Sequence, residues 1–288
     1  MSEFLRRVGF KSNYMSKVKV LYVSQEITPY VPESELSTLG RYLPQRMMEK
    51  GMEIRTFMPR FGKINTRRHQ LHEVIRLSGI NLVVNDVDHP LIIKVASIQP
   101  ARMQVYFIDN EEYFQRKAFL VDDIGEAFPD NDERSIFFVK GVLETVKKLS
   151  WSPDIIHCNG WMASLLPLYL KTQYKDDPLF SESKIVYSAF SETPNGELDA
   201  KLKEKLQFDG ISDDLLSHMD TVSYDNLHKT AIDLSDAIVV GDENLSEEVR
   251  TLIDSKECPT LIHENDPDEY GEPFEALYNE ILDSVPAE

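Results

Sequence analysis

Four short, almost entirely apolar segments recur along the chain, separated by stretches with helical periodicity. They are residues 17–24 (KVKVLYVS), 153–158 (PDIIHC), 184–189 (KIVYSA) and 236–241 (DAIVVG). A continuous apolar strand is buried on both faces, which is typical of a parallel sheet covered by helices on both sides. The pattern therefore predicts an α/β fold built as a Rossmann-like, doubly wound parallel sheet.

Helix starts and breakers lie between these strands. The helix after the first strand contains Pro44, which should kink it or lie near its first turn. Asp130 and Glu133 have the spacing of a capping box and predict the start of a long helix. Asn244 and Glu247 predict a second capped helix start in the same way.

Residues 72–108 depart from this alternation. They contain four short β-like runs, 72–77, 81–84, 91–98 and 104–108, which are divided by turn residues. Short runs between turns are typical of antiparallel strands. We therefore predict a β-hairpin insertion beside the main sheet.

The charge is unevenly distributed and suggests how the chain is divided. There are 31 Lys and Arg against 49 Asp and Glu, a net charge of −18, and nine of the acids lie in residues 264–288, which contain no Lys or Arg. We predict a flexible leader over 1–16, one Rossmann domain over 17–263 and an acidic C-terminal tail over 264–288 with a short helix. Either a solvated segment or a helix that docks on a protein partner fits this tail.

The same charge excludes two classes of partner. A net charge of −18 repels the phosphates of nucleic acids and anionic lipid surfaces, so we expect neither nucleic acid nor membrane as a partner. The sequence contains no run of 18 apolar residues and no signal-peptide pattern, so the expected location is the cytoplasm. Two cysteines are too few for a disulfide framework, and Cys158 is interpreted as a buried structural thiol.

Common cofactor and catalytic signatures are absent from the sequence. It has no GxGxxG after a strand, no GxxxxGK[ST] loop, no CxxC or HExxH spacing and no GxSxG turn. We therefore expect no cofactor and no metal. His69 and His72 have the spacing of a ligand pair on one helix face, but Arg67 and Arg68 beside them favour a solvated basic patch.

Unusual residues follow three of the predicted strands, at the edge where open α/β sheets bind ligands. They lie in segments 25–36 (QEITPYVPESEL), 157–161 (HCNGW) and 188–191 (SAFS), with 128–134 (FPDNDER) between them in the chain. With these motifs the chain resembles the N-terminal domain of bacterial glycogen synthases and plant starch synthases. The resemblance runs from about residue 18 to about residue 250.

The matching motifs occur in the order of that family. The family's S-E-V-A-P-F-A-K-T-G-G-L corresponds to residues 25–36, its M-P-R-Y to 58–61, the D-N-x-x-R of its D-N-x-x-R-F to 130–134 and its D-x-x-H-x-x-D-W to 154–161. The resemblance implies the N-terminal half of a retaining, two-domain GT-B glucosyltransferase that uses ADP-glucose. In the family a second domain binds the leaving diphosphate, and we expect the residues after 250 to be too few and too acidic to form it.

Departures from the family's motifs fall at its donor site. The Lys of K-T-G-G-L is replaced by Pro32 and its two glycines by Ser34 and Glu35, which brings a carboxylate to a loop whose backbone N–H groups approach a diphosphate. Two family aspartates and one histidine are replaced by Thr38, Gly160 and Phe190. The resemblance therefore implies that the donor site is altered at three strand ends, and no residue is assigned as catalytic.

Seven residues of these motifs are candidates for a ligand cleft: Glu26, Tyr30, Asn131, Arg134, His157, Asn159 and Trp161. Glu26 aligns with the acceptor side of the family's cleft, with a local loop hydrogen bond as the alternative. His157 and Trp161 fit either a carbohydrate groove or packing at a strand–helix junction. Asn131 and Arg134 are interpreted as a helix cap and a salt-bridge partner rather than as ligand contacts.

Three functional hypotheses follow. The first is a glycogen/starch synthase catalytic-domain homologue that does not transfer glucose alone and acts as a glucan-binding or regulatory protein. The second is an active α-1,4-glucan glucosyltransferase that uses ADP-glucose or another nucleotide sugar with a partner subunit. The third is a protein-interaction module that uses the cleft or the C-terminal tail. The expected partners are therefore a glucan, a nucleotide sugar or a protein.

Overall fold

The computed structural model describes residues 17–284, and the predicted leader over 1–16 lies outside them. The strands are β1 (Lys19–Ser24), β2 (Glu53–Pro59), β3 (His72–Glu73), β4 (Ile80–Val84), β5 (Val87–Ile98), β6 (Met103–Asp109), β7 (Ile155–Asn159), β8 (Lys184–Ala189), β9 (Ala237–Val240) and β10 (Thr260–Ile262). The helices are α1 (Glu35–Glu49), α2 (Glu111–Phe114), α3 (Asn131–Leu149), α4 (Leu166–Lys171), α5 (Leu202–Phe208), α6 (Tyr224–Asp233), α7 (Glu247–Asp254) and α8 (Gly271–Asp283), with 3₁₀ segments at Trp161–Ala163 and Asp213–Asp220. In this part of the chain, every helix is too short or too polar to cross a membrane.

The strands form a sheet in the order β10-β9-β8-β7-β1-β2-β6-β5-β3, and β4 pairs with β5. From β10 to β6 all neighbouring strands run parallel, while β5 pairs antiparallel with β3, β4 and β6. β1 lies near the middle of the sheet, with Tyr22 opposite His157 of β7. The predicted parallel sheet is confirmed.

The sheet separates two cores because successive side chains of a strand point to opposite faces. Leu21 and Val23 of β1 belong to the core that also contains α3, α4 and α6. Val20 and Tyr22 belong to the core on the other face, which α1 and α8 cover. Helices therefore cover both faces, and the doubly wound arrangement is confirmed.

The predicted β-hairpin insertion is only partly separate from the main sheet. β4 and β5 form a hairpin in which Val84 pairs with Val87. β6, in contrast, pairs in parallel with β2 and places Tyr106 opposite Phe57. Six of its seven residues are buried, which is the pattern of a strand covered on both faces rather than of a peripheral hairpin.

Neither predicted capping box forms, although α3 starts after Asp130 as expected and α7 starts two residues later than predicted. The Asp130 side chain makes no cap hydrogen bond to α3, and it accepts one from Arg116 Nη1 at 2.7 Å instead. Ser246 rather than Asn244 caps α7, because its hydroxyl accepts a hydrogen bond from the Val249 N–H at 3.3 Å. An ion pair and a nearer serine thus replace the predicted caps.

The acidic C-terminal segment packs on the rest of the fold. The apolar face of α8 is buried against α1 and the sheet and consists of Phe274, Leu277, Tyr278 and Ile281. Lys50 near the end of α1 forms ion pairs with Glu272 and Glu275 at 2.7 and 2.6 Å. The apolar face of α8, which suggested docking on a protein partner, is therefore covered by the chain's own α1. The acidic face of α8 is turned to solvent.

Candidate functional site

The carboxyl ends of β1, β7, β8 and β9 lie at one edge of the sheet because these strands are parallel. The chain leaves β1 at this edge and enters α1, which Ser34 caps. The Ser34 Oγ accepts a hydrogen bond from the Ser37 N–H at 3.0 Å, and the Ser37 Oγ accepts one from the Ser34 N–H at 2.8 Å. This reciprocal capping fixes the loop and holds the Ser34 hydroxyl beside Glu26.

Glu26 is partly buried beneath this loop. Its Oε2 accepts a hydrogen bond from the Ser34 hydroxyl at 3.1 Å, and its Oε1 accepts one from Gln25 Nε2 at 3.3 Å. Burial raises the pKa of the Glu26 carboxyl, and the two hydrogen bonds offset part of that rise. The local loop hydrogen bond is therefore present, and the carboxylate is still within reach of a ligand at the strand end.

Further carboxylates surround Glu26. Burial raises the pKa of Glu192, and the negative charges of Glu26, Asp242 and Glu35 raise it further. Each of these three carboxylates therefore lies close enough to Glu192 to act on its charge. Asp242 is held at this edge because its Oδ2 accepts a hydrogen bond from the Ser191 N–H at 2.6 Å. We call Glu26, Glu35, Glu192 and Asp242 the acidic rim.

A cavity of about 610 Å³ opens beside the acidic rim, between α7, β9 and β10. Five carboxylates line it, including Glu35 and Asp242, against a single arginine, Arg250. The excess of negative groups repels phosphate and favours ligands that donate hydrogen bonds. Sequence analysis missed Glu192 and Asp242. Glu192 follows the end of β8 by three residues and Asp242 follows the end of β9 by two, so both lie where open α/β sheets bind ligands.

His157 lies in the core and not at the cleft. The ring is fully buried, its Nδ1 lies 2.6 Å from the Tyr278 hydroxyl of α8, and its Nε2 lies 2.6 Å from the Ser188 hydroxyl. Burial, with a smaller contribution from His263, lowers the pKa of His157 to about 3, so the ring is neutral at pH 7. Both ring nitrogens have protein partners, and the residue does not line the predicted carbohydrate groove.

Trp161 and Asn159 are also fully buried. The Trp161 ring meets Tyr224 edge-on, with ring centroids 4.9 Å apart, and Asn159 Nδ2 donates a hydrogen bond to Ser24 Oγ at 3.0 Å. Trp161 lies in the 3₁₀ segment that packs against α3. These residues therefore pack at the strand–helix junction, which was the alternative to a groove.

Asn131 and Arg134 brace the loop that precedes α3. Asn131 Nδ2 donates to the Leu120 carbonyl at 2.9 Å, and Arg134 donates to Asn131 Oδ1 and to the Phe119 carbonyl, both at 2.7 Å. Both side chains are 1% exposed. Within residues 17–284 Arg134 forms no ion pair, so the predicted cap and salt bridge are replaced by bonds to loop carbonyls.

Tyr30 lines a second cavity, on the β5 side of α1. Its ring centroid lies 5.0 Å from that of His69. Burial raises the pKa of Tyr30 to about 12, and the nearby charge of Arg41 offsets part of the rise. Arg68, His69 and His72 line the same cavity and belong to a turn and a strand, so the two histidines are not a ligand pair on a helix. Arg67, Arg68 and His72 are exposed, as expected of a solvated basic patch.

The six positions that depart from the family's donor motifs form two groups. Three lie at or near the surface, in the loop and at the start of α1: Pro32, Ser34 and Glu35. Three lie in the interior: Thr38, Gly160 and Phe190. Gly160 has a φ of 82°, and an added Cβ would lie 2.9 Å from Leu36 Cδ2 and 3.1 Å from Gln25 Oε1. The space that an aspartate would need there is therefore filled.

Alanine at position 160 should destabilise the protein by about 1–3 kcal/mol, because it combines an unfavourable φ with close contacts. Gly210→Ala is the matched control, since Gly210 has the same φ of 82° but an added Cβ there would meet no atom within 4 Å. Urea denaturation of both variants separates the two contributions. We expect the larger loss for Gly160→Ala, and equal losses would show that Leu36 and Gln25 yield easily.

Comparison with known proteins places this geometry in a family. Residues 19–264 match the family model of the starch synthase catalytic domain. The glycogen synthase of Chlorobium luteolum is 38% identical over 237 residues, which cover 80% of this chain and 48% of that protein. The glycogen synthase of Chlorobium limicola is 41% identical over 206 residues, which cover 71% of this chain and 42% of that protein. The chain thus spans about half the length of the curated relatives that it matches.

A solved structure has the same fold. The catalytic domain of starch synthase IV from Arabidopsis thaliana, bound to ADP and acarbose, superimposes with a TM-score of 0.69 at 17% identity, covering 88% of this chain and 53% of that one. The predicted GT-B fold class is thereby confirmed. With a family model that matches most of its length and close relatives among bacterial glycogen synthases, this chain belongs to the starch synthase catalytic-domain family.

Proposed function

We propose that this chain is a starch synthase-type domain that does not transfer glucose from ADP-glucose by itself and serves as a glucan-binding or regulatory protein. The observation that carries the proposal is the acidic rim. It occupies the strand ends at which the resemblance implies a lysine- and glycine-rich donor loop.

Electrostatics argue against a diphosphate at this edge. A phosphate oxygen about 4 Å from a carboxylate is repelled by roughly 1–4 kcal/mol, depending on the local dielectric. Burial, and then the negative charges of Glu26, Asp242 and Glu35, raise the pKa of Glu192, so negative charge already accumulates at the acidic rim. Ser34 adds a side chain that donates to Glu26, where a glycine would leave the backbone N–H groups open. The loop therefore lacks the features that favour a diphosphate.

The interior replacements support the same conclusion. Leu36 and Gln25 fill the space beside Gly160, and Phe190 is 1% exposed at the end of β8. Restoring the aspartate at position 160 would require these neighbours to move. A simple reversal at a single position is therefore not expected to recover a donor site.

A neutral glucan suits the acidic rim better than a nucleotide sugar does. Sugar hydroxyls donate hydrogen bonds, and bonds to a carboxylate are stronger than bonds between neutral groups. Glu26 and Glu192 present such acceptors at the edge of the sheet. Acarbose, an oligosaccharide analogue, is bound by the starch synthase IV domain of the same fold, which supports a saccharide as the ligand class.

The test is a pair of measurements on the purified chain. A radiolabel assay with ADP-glucose and glycogen should give no transfer above background, and calorimetry should give saturable binding of a malto-oligosaccharide but not of ADP-glucose. Glu26→Gln should weaken the saccharide about tenfold, because it removes one charge-assisted acceptor. Glu280→Gln, on the exposed face of α8, is the matched control and should bind normally. Transfer by the purified chain would contradict the proposal.

The similarity to glycogen synthases favours one alternative, an active α-1,4-glucan glucosyltransferase that works with a partner subunit. The ADP bound by the starch synthase IV domain also fits this alternative. It requires saturable binding of ADP or a nucleotide sugar at the acidic rim, and that binding should tighten when Glu35 is replaced by Gly. Calorimetry with ADP on the unmodified chain and on Glu35→Gly distinguishes this active transferase from the glucan-binding protein proposed above.

A further inference from the structure

A second cavity has the opposite charge character from the acidic rim. It measures about 660 Å³ and lies between α1, the loop after β1, the turn at residues 65–70 and β5. We call it the basic cavity and define it by Tyr30, Arg41, Arg68, His69, His72 and Gln99. No carboxylate is among its lining residues in the described part of the chain, although acids outnumber bases 49 to 31 in the sequence.

Arg41 of α1 is the central group of the basic cavity. Its Nη2 donates one long hydrogen bond, 3.4 Å, to the Gln99 carbonyl, and its Nε is buried without a partner. Among the ion pairs of residues 17–284 none includes Arg41. Because no carboxylate of the described residues pairs with this guanidinium, its Nη groups keep donors that suit an anion in the cavity.

The opposite wall is held in place by a turn and by ring contacts. Asn65 Oδ1 accepts hydrogen bonds from the Arg67 and Arg68 N–H groups at 3.1 and 2.9 Å, which sets the position of Arg68 at the rim. The His69 ring packs edge-on against Tyr30, with centroids 5.0 Å apart. Packed rings and a fixed backbone lose little freedom on binding, so this wall of the basic cavity is partly arranged for a ligand in advance.

We propose that the basic cavity binds a small molecule that carries a phosphate group. The phosphate would lie between Arg41 and Arg68, whose guanidinium groups match its oxygens in pairs. The volume is within the range of small-molecule sites, and Gln70, Gln99 and Gln104 provide amides for a polar organic body. The site is separate from the acidic rim, so this inference does not rest on the proposed glucan-binding function.

Calorimetry with inorganic phosphate, and then with β-glycerophosphate, tests the assignment at constant ionic strength set with sodium chloride. We expect saturable binding of both and competition between them. Arg41→Gln should weaken both at least about tenfold, as expected when a charge-assisted donor pair is lost. Arg76→Gln is the control, because Arg76 is exposed and does not line the basic cavity, and it should bind like the unmodified protein.

A second variant guards against a folding defect in Arg41→Gln. Arg68 is exposed at the rim, so Arg68→Gln should fold normally and still weaken phosphate severalfold. Malto-oligosaccharide binding should be unchanged in both variants, which separates a failure here from a failure at the acidic rim. The proposal would be overturned if phosphate gave no more heat than sodium chloride does. It would also be overturned if both variants bound phosphate as tightly as the unmodified protein does.

Discussion

Tyr278→Ala should lower the free energy of unfolding by about 3–5 kcal/mol, the usual cost of truncating a large buried side chain. Tyr278 is fully buried, and its hydroxyl lies 2.6 Å from His157 Nδ1 and 2.8 Å from the Tyr22 hydroxyl. The substitution leaves a cavity between α8 and the sheet and removes a partner of a buried imidazole. Urea denaturation followed by circular dichroism measures the loss.

Two further variants divide this effect. Tyr278→Phe keeps the ring and removes only the hydroxyl, so it should cost about 1–3 kcal/mol. Asn279→Ala changes the next residue, on the exposed face of α8, and should stay within about 0.5 kcal/mol of the unmodified protein. If Tyr278→Ala were no more destabilising than Asn279→Ala, α8 would not be docked on the sheet in solution.

Lys205→Met should lower the free energy of unfolding by a similar amount, because it removes a buried charge rather than side-chain volume. The Lys205 ammonium, 6% exposed, lies 2.7 Å from Asp132, 2.8 Å from Glu133 and 2.8 Å from Asp199. Removing it leaves three carboxylates together, one of them buried, and the loss of one partner of a buried ion pair costs about 3–5 kcal/mol. Chemical denaturation at pH 7.5 measures this loss.

The stability lost in Lys205→Met should depend on pH, because the loss arises from charge. Burial raises the pKa of Asp132 to about 6 even beside Lys205, and without the lysine the pKa should rise further. A carboxyl whose folded-state pKa is raised contributes stability at low pH that is lost as the pH rises through that pKa. The deficit of Lys205→Met should therefore be smallest near pH 5 and grow towards pH 8.

Lys203→Met is the matched control on the same helix. Lys203 also contacts two carboxylates, Asp213 and Asp220, but these are exposed on the surface. Exposed ion pairs contribute little because water and salt screen them. We expect a nearly unchanged denaturation midpoint for Lys203→Met, and a shift as large as that of Lys205→Met would show that the burial of Asp132 does not explain the loss.

The fold was largely predictable because its signals are local. Continuous apolar strands such as β7 and β8 bury their side chains only when both faces of the sheet are covered, and this pattern is visible in the sequence. β6 was harder to place, because a short apolar run has the same appearance in a hairpin and in a main sheet. Its parallel pairing with β2 depends on residues that are nearly fifty positions away.

The site was predictable in position but not in exposure. The expectation that ligands bind at the carboxyl ends of parallel strands directed attention to Glu26, and it applies equally to Glu192 and Asp242. It did not show that His157 is covered, because the covering residue, Tyr278, lies 121 positions later in the chain. The basic cavity was also hidden from sequence analysis, since Arg41 and His69 come from separate segments and meet only in the folded protein.

The docking of α8 also sets an order of events during synthesis. Tyr22 and Tyr278 are 256 residues apart, so the part of this face of β1 that α8 covers stays open until residues 271–283 have left the ribosome. At ordinary elongation rates that interval is about 10–50 seconds. Until then, the apolar residues of β1, β7 and α1 that α8 covers in the folded protein are open to other chains as each is made. The nascent domain is therefore a natural client for chaperones that shield sheet faces, and its folding yield should depend on how quickly its last helix is made.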